Sequence, residues 1–220
     1  MRTTSLNKQV AGRRPKAAAA EQDTRTAILT AARNVFARRG FAGASTREVA
    51  QIAGVNNAMI YYHFKDKVRL YRAVLAYSFA AFERIWDDPV FSSDAPSREK
   101  IRTYVEGYIR FQHANDELRR IMSMELAACS NNYKWLADHF FVHGYEKLAN
   151  LLKEGMRSGE LKKMDLSLAI PSLVGMINQS FILRPLAEHV IGKKLELTVK
   201  RFGGFVTSMF FDGLHGKKTP

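Results

Sequence analysis

Apolar residues recur at intervals of three and four along most of the chain, and no stretch alternates with period two. Over 23–40, Ile28, Ala31, Ala32, Val35 and Phe36 share one helical face. Asp23 or Thr24 can cap that helix, Gly40 lies just past its end, and Phe41 can fold back onto the core. A second helix is expected from Ser45. Glu48, three residues on, completes a capping box: the serine hydroxyl takes one free amide and the glutamate reaches back to another. Val49, Ala50, Ile52 and Ala53 are its expected buried positions. Gly54 ends it, Val55 fills the corner, and Asn56 caps a third helix whose Ile60 and Phe64 face inward. Two short helices joined at a tight glycine turn and packed on a third form a helix-turn-helix unit, the kind whose second helix enters the DNA major groove.

A fourth helix is expected over 67–86, with Leu70, Val74, Tyr77, Ala81 and Ile85 as its apolar stripe. The stretch DDPVFSSDAPS (87–97) reads as a loop. Further helices are expected over about 97–114, 116–129, 132–157, 165–184 and 197–214, with RPLAEHVIGKK linking the last two. Pro171 predicts that the 165–184 helix starts later or kinks. The expected fold is all-α, of about nine helices. It comprises a basic flexible arm over 1–22, a helix-turn-helix DNA-binding domain over 23–72, and a helical effector-binding and dimerisation domain over 73–216.

Composition changes this picture in two ways. The 220 residues are 46% hydrophobic, enough for a real core. The net charge of +13 is uneven: residues 1–72 hold 14 Lys and Arg against 4 Asp and Glu, and the remaining residues 20 against 17. An anionic partner for the N-terminal part is therefore expected, although charge alone does not separate nucleic acid from an acidic membrane surface or a solvated face. The single cysteine, Cys129, excludes an internal disulfide and reads as a small buried apolar residue. No apolar run is expected to reach the roughly 18 residues of a membrane span, and the N-terminus lacks a signal-peptide apolar block, so a cytoplasmic protein is expected.

The candidate chemistry lies in the third helix. Asn57 and His63 can hydrogen-bond base edges or phosphates, and Tyr61 and Tyr62 offer a hydroxyl and a ring. Arg47 could reach a guanine or the backbone, and Lys67 a phosphate. Tyr61 could equally be partly core, and His63 a satisfied surface histidine. The matched residues here are Ser45, Val49, Ala50, Ala53, Gly54, Val55, Ile60, Tyr61, His63, Phe64, Lys67 and Leu70, with AARNVFARRGF upstream. In these the chain resembles the DNA-binding domain of the Tet repressor (TetR) family of bacterial transcriptional regulators. The resemblance implies that Arg47, Asn57, Met59, Tyr61 and His63 meet bases and phosphates, and that Ser45 and Lys67 meet phosphates. Asn56 stands where the family has serine or threonine, and Ala58 where glycine is frequent, which leaves the operator sequence open.

Outside that domain the resemblance is one of layout. It implies a homodimer, a palindromic operator and release by a small-molecule effector, and a repressor more than an activator. The alternative is a sequence-independent nucleoid binder. In the arm, Arg13 and Arg14 could lie in a narrow minor groove, or the arm is a solvated tail. Residues 166–182 are apolar almost all round, so Val174, Ile177, Phe181, Phe202, Phe205, Met209 and Phe210 are expected at the dimer interface. An apolar or aromatic effector is expected among Phe82, Trp86, Tyr104, Tyr108, Phe111, Met122, Glu125, Trp135, His139 and Asn178, a set that equally describes a helical core. His139 and His143 are four apart but have no clear third ligand, so neither metal nor cofactor is expected. No GxSxG, Walker or GxGxxG motif and no Cys–His pairing stands out, so no enzyme is expected.

Overall fold

The structure is a computed structural model that describes the backbone of residues 13–128 and 131–213 and the side chains of 19–128 and 132–213. Cys129 therefore lies outside the described residues. Among them every regular element is helical. The chain divides into two compact units, the break falling after Tyr77.

The first unit holds α1 (Arg13–Gly43), α2 (Thr46–Ala53), α3 (Asn57–Phe64) and the start of α4 (Lys67–Glu83). Residues 13–22 are helical where a flexible arm was expected. The run Ala17–Ala20 with Glu21 and Gln22 is built of strong helix formers, and Pro15 falls in the first turn, where no amide bond is lost. Thr24 is thus no cap: its hydroxyl donates to the Ala20 carbonyl one turn back, at 2.9 Å. Gly40 sits at φ 67°, a left-handed value that interrupts α1 and turns the chain toward α2.

The core of this unit joins Ile28, Ala32, Val35 and Phe36 of α1 to Val49, Ile60, Phe64, Leu70 and Tyr71. Phe36 meets the Tyr71 ring edge-on at 4.8 Å, and Phe41 folds back to 5.0 Å from the same ring. Ile52, expected inside, is 49% exposed, because α2 buries only its Val49–Ala50 edge. On α4, Leu70 and Val74 of the expected stripe are buried, whereas Tyr77 and Ala81 are exposed and Tyr71, Leu75, Ser78 and Phe79 are buried in their place.

The second unit takes the end of α4, two 3-10 turns (Arg84–Asp87, Pro89–Ser92), α5 (Ser97–Ala114), α6 (Asp116–Ala128), α7 (Asn131–Leu136), a π turn (Ala137–Phe141), α8 (Val142–Ser158), α9 (Leu166–Ile191) and α10 (Val199–Asp212). Its core is built around Ile101, Val105 and Ile109 of α5, against Leu152 of α8, Leu173 and Ile177 of α9 and Val206 of α10. Gly155 lets α8 come close: a Cβ there would lie 2.7 Å from Leu161 Cδ1 and 2.9 Å from Ser97 Cβ.

Three expected boundaries change in this unit. The 132–157 helix is interrupted by the π turn, which lets Phe140 stack on Phe79 at 4.7 Å and Phe141 meet Phe79 edge-on at 5.5 Å. Residues Pro89–Ser92 of the 87–97 loop form a 3-10 turn, started by the Asp88 carboxylate, which accepts the Val90 amide at 3.0 Å. The expected linker after residue 184 is helical as far as Ile191, so α9 runs 26 residues through both Pro171 and Pro185. At that length α9 carries a mean hydropathy of 1.6 over 18 residues, long and apolar enough to cross a membrane, where no such run was expected. Its inward face, Ile170, Leu173, Ile177 and Phe181, belongs to the unit's core.

Candidate nucleic-acid interface

The turn between α2 and α3 follows from local chemistry. The Ser45 hydroxyl accepts the Glu48 amide at 3.1 Å, which forms one half of the expected capping box. The other half is replaced: the Glu48 carboxylate faces Arg38 at 3.3 Å and Arg39 at 3.9 Å, since two guanidinium groups attract it more than a neutral amide does. Gly54 closes α2 at φ 67°, ψ 30°, and its amide and that of Val55 bond back to Gln51 and Ala50. The Asn56 side chain caps α3 by accepting the Ala58 amide at 2.9 Å. That amide is therefore satisfied internally, and Ala58 itself is exposed.

Ile60 and Phe64 anchor α3, and its other faces are open. Arg47, Tyr61 and Tyr62 are exposed, and Asn57, Met59 and His63 are half-buried. Asn57 Oδ1 and His63 Nε2 have no hydrogen-bond partner among the described residues. The Tyr61 hydroxyl lies 3.3 Å from Thr46 Oγ1, which ties α3 to α2. The Tyr62 hydroxyl donates to Glu21 Oε1 at 3.2 Å, across 41 residues. Lys67 donates to the Ala42 carbonyl at 3.1 Å and stands 4.7 Å above the Phe41 ring, so it also braces the turn after α1. The side chains of Arg13 and Arg14 lie outside the described residues.

In the second unit the expected aromatic effector residues form two groups, linked through Phe79 and Phe140. Phe82, Trp86, Tyr104, Tyr108 and Phe111 form one aromatic cluster, with centroids 5.1–6.4 Å apart in contacting pairs. The Tyr108 hydroxyl donates to Asn178 Oδ1 at 2.7 Å, and Gln112 Nε2 donates to the same oxygen. Burial pushes the Tyr108 hydroxyl up to about 12, partly opposed by Asn178 and Gln112, and raises Tyr104 well above the usual tyrosine value. Phe111 also lines an open cleft of about 520 Å³ with Ile85, Arg84 and Arg110. Trp135 and His139 pack on each other at 4.5 Å, with His139 Nδ1 2.8 Å from the Trp135 carbonyl. Met122 is half-buried and Glu125 buried on α6. No group of three potential metal ligands occurs among the described residues.

The expected dimer residues separate as well. Ile177, Phe181 and Phe202 are buried inside their own subunit and are unavailable to a partner, because α9 and α10 spend that face on α5. Val174, Met209 and Phe210 are half-buried, and Phe205 is 58% exposed. The open apolar face of α9 is instead Leu183, Leu186 and Val190, the last 75% exposed. The spacing of four between Leu186 and Val190 was legible in RPLAEHVIGKK, with Leu183 just before it, but the proline masked the stretch as a linker. Glu21 gave no sequence signal, since its role rests on a contact with α3.

Comparison with known proteins agrees with this geometry. Residues 28–74 match the model of the family described as bacterial regulatory proteins, tetR family. The BepR transcriptional repressor of Brucella suis is 46% identical over 63 residues, which span 29% of each chain. The fatty acid metabolism regulator protein of Bacillus subtilis is 24% identical over 155 residues, 70% of this chain and 79% of that one. Among solved structures, FadR of Bacillus subtilis, determined with stearoyl-CoA, superimposes with a TM-score of 0.71 at 21% identity, over 86% of this chain and 99% of its own. PfmR of Thermus thermophilus gives 0.68 at 20% identity, over 86% and 99%. Residues 28–74 thus carry the DNA-binding helix-turn-helix of the tetR family of bacterial regulatory proteins, and the chain as a whole shares its all-α fold with solved structures of transcriptional regulators.

Proposed function

We propose that this regulator is a repressor that binds a palindromic operator as a homodimer and is released by a small-molecule effector. One observation carries the dimer: Leu183, Leu186 and Val190 on α9 and Phe205 on α10 leave an apolar face uncovered in a single subunit. A second copy covers such a face. One recognition helix reads only a few base pairs, and two of them related by a twofold axis read half-sites about 34 Å or a multiple apart. Arg47, Asn57, Met59, Tyr61 and His63 meet bases and phosphates, and Ser45, Ala58 and Lys67 border the backbone contacts.

The effector is apolar or aromatic and enters among Phe82, Trp86, Tyr104, Tyr108 and Phe111, with Asn178 as the polar partner. It acts by binding the two conformations of the dimer unequally. The protein works in the cytoplasm, where its DNA is, and without catalysis or metal. BepR, a repressor by name, supports the sign of regulation.

The test is selection of bound sites from random duplexes, followed by a release screen with apolar metabolites that includes long-chain acyl-CoA thioesters. A palindrome preferred by about 10³-fold or more over scrambled DNA at moderate salt is expected. Equal binding to all duplexes supports the nucleoid reading instead.

A further inference from the structure

The bond between Tyr62 and Glu21 bears on which bases the protein selects, an inference that rests on the DNA-binding reading. Tyr62 is the more exposed of the two tyrosine rings of the recognition helix, and its hydroxyl donates to Glu21 Oε1 at 3.2 Å. On its other side the ring lies against His63, edge-on at 5.0 Å. Glu21 stands on α1, within the stretch that turned out helical instead of flexible. With Ala20, Thr24 and Met59, the two residues line a cleft of about 350 Å³.

The chemistry of this pair is one-sided. A phenol has one proton, and Glu21 takes it. A carboxylate has none to give at neutral pH. What the pair shows outward is lone pairs only. A phosphate oxygen also only accepts, so Tyr62 held in this way cannot clamp the DNA backbone, and the charge of Glu21 repels it. In the major groove, adenine and cytosine present an exocyclic amino donor, whereas guanine and thymine present acceptors at that edge.

We propose that Glu21 and Tyr62 together form an acceptor pair that selects a base bearing an exocyclic amino group, adenine or cytosine, at one position of each half-site. Glu21 acts as the positioning residue that spends the Tyr62 proton.

Sites selected from random duplexes by the wild-type protein and by Glu21→Ala, Glu21→Gln and Tyr62→Phe test this. All three changes are at exposed positions, and melting curves confirm folded protein. The wild type is expected to hold one half-site position to adenine or cytosine. Glu21→Ala and Tyr62→Phe should relax that position by about five-fold or more and leave the others unchanged. Glu21→Gln, whose amide can also donate, should admit guanine or thymine there. Glu21→Ala should bind scrambled DNA at least as tightly as the wild type, since a negative charge has gone. A wild-type palindrome with no such position, or variants that keep the wild-type profile, overturns the proposal. A wild type that selects no site at all overturns the operator reading itself, and this proposal with it.

Discussion

The Arg119 guanidinium on α6 donates from Nη1 to the Phe181 carbonyl on α9 at 3.1 Å. That carbonyl is the one left over by Pro185, which has no amide to return to the residue four before it. The same guanidinium stands 5.7 Å above the Phe181 ring and pairs with Asp116. A helix that would otherwise fray or kink at its proline is thus completed by a neighbour, and α9 reaches Ile191.

Arg119→Met should therefore cost about 1–3 kcal/mol in stability, since it strands a part-buried carbonyl. Pro185→Ala in the same protein should recover part of this, because alanine supplies its own amide to Phe181. Urea denaturation of the two single variants and the double variant measures the coupling. Additive losses would contradict the account.

Close packing at Gly155 leaves no room for a methyl group beside Leu161 and Ser97. Gly155→Ala is expected to destabilise the second unit by about 1–3 kcal/mol, although alanine is the better helix former. A raised thermal midpoint would show that Leu161 gives way freely.

Val190→Asp and Phe205→Asp place charges on the uncovered face without touching the core. Both variants should stay folded, elute as monomers in size-exclusion chromatography, and lose operator binding by about 10²-fold or more as two half-sites cease to be read together. Ile177→Asp, aimed at a residue fully buried in its own subunit, should instead unfold the protein. A dimer that survives both surface changes rules out this face.

Glu188 gathers Arg184 at 2.9 Å, the Leu195 amide at 2.9 Å and Lys194 at 3.5 Å, and so pins the loop between α9 and α10. The hydrogen bond from Arg184, then that from the Leu195 amide, lower its carboxyl from an ordinary 4.5 to about 2. A depressed folded value means that the contribution is fully present above pH 4.5 and is lost as the pH falls toward 2. Melts recorded across that window should show a smaller drop for Glu188→Gln than for the wild type, and parallel curves would remove Glu188 from the acid response.

How far each element could be read from the sequence depended on the range of the forces that shape it. The Ser45 and Asn56 caps, the Gly54 turn and the Ile60–Phe64 anchors act within four residues, so spacing alone specified them. The aromatic cluster of the second unit was recognisable as a set, but not that Trp135 and His139 join it only through Phe140 and Phe79, which the π turn brings together. Sequence by itself determined the all-α class, the helix-turn-helix and its exposed reading face, because capping, glycine backbone freedom and apolar period are local. Tertiary structure alone decided which apolar side chains of α9 and α10 are core and which stay open, where α1 begins to bear on α3, and how α9 survives Pro185. Each of these turns on a partner distant in sequence, Val105, Tyr62 or Arg119, whose distance no spacing rule encodes.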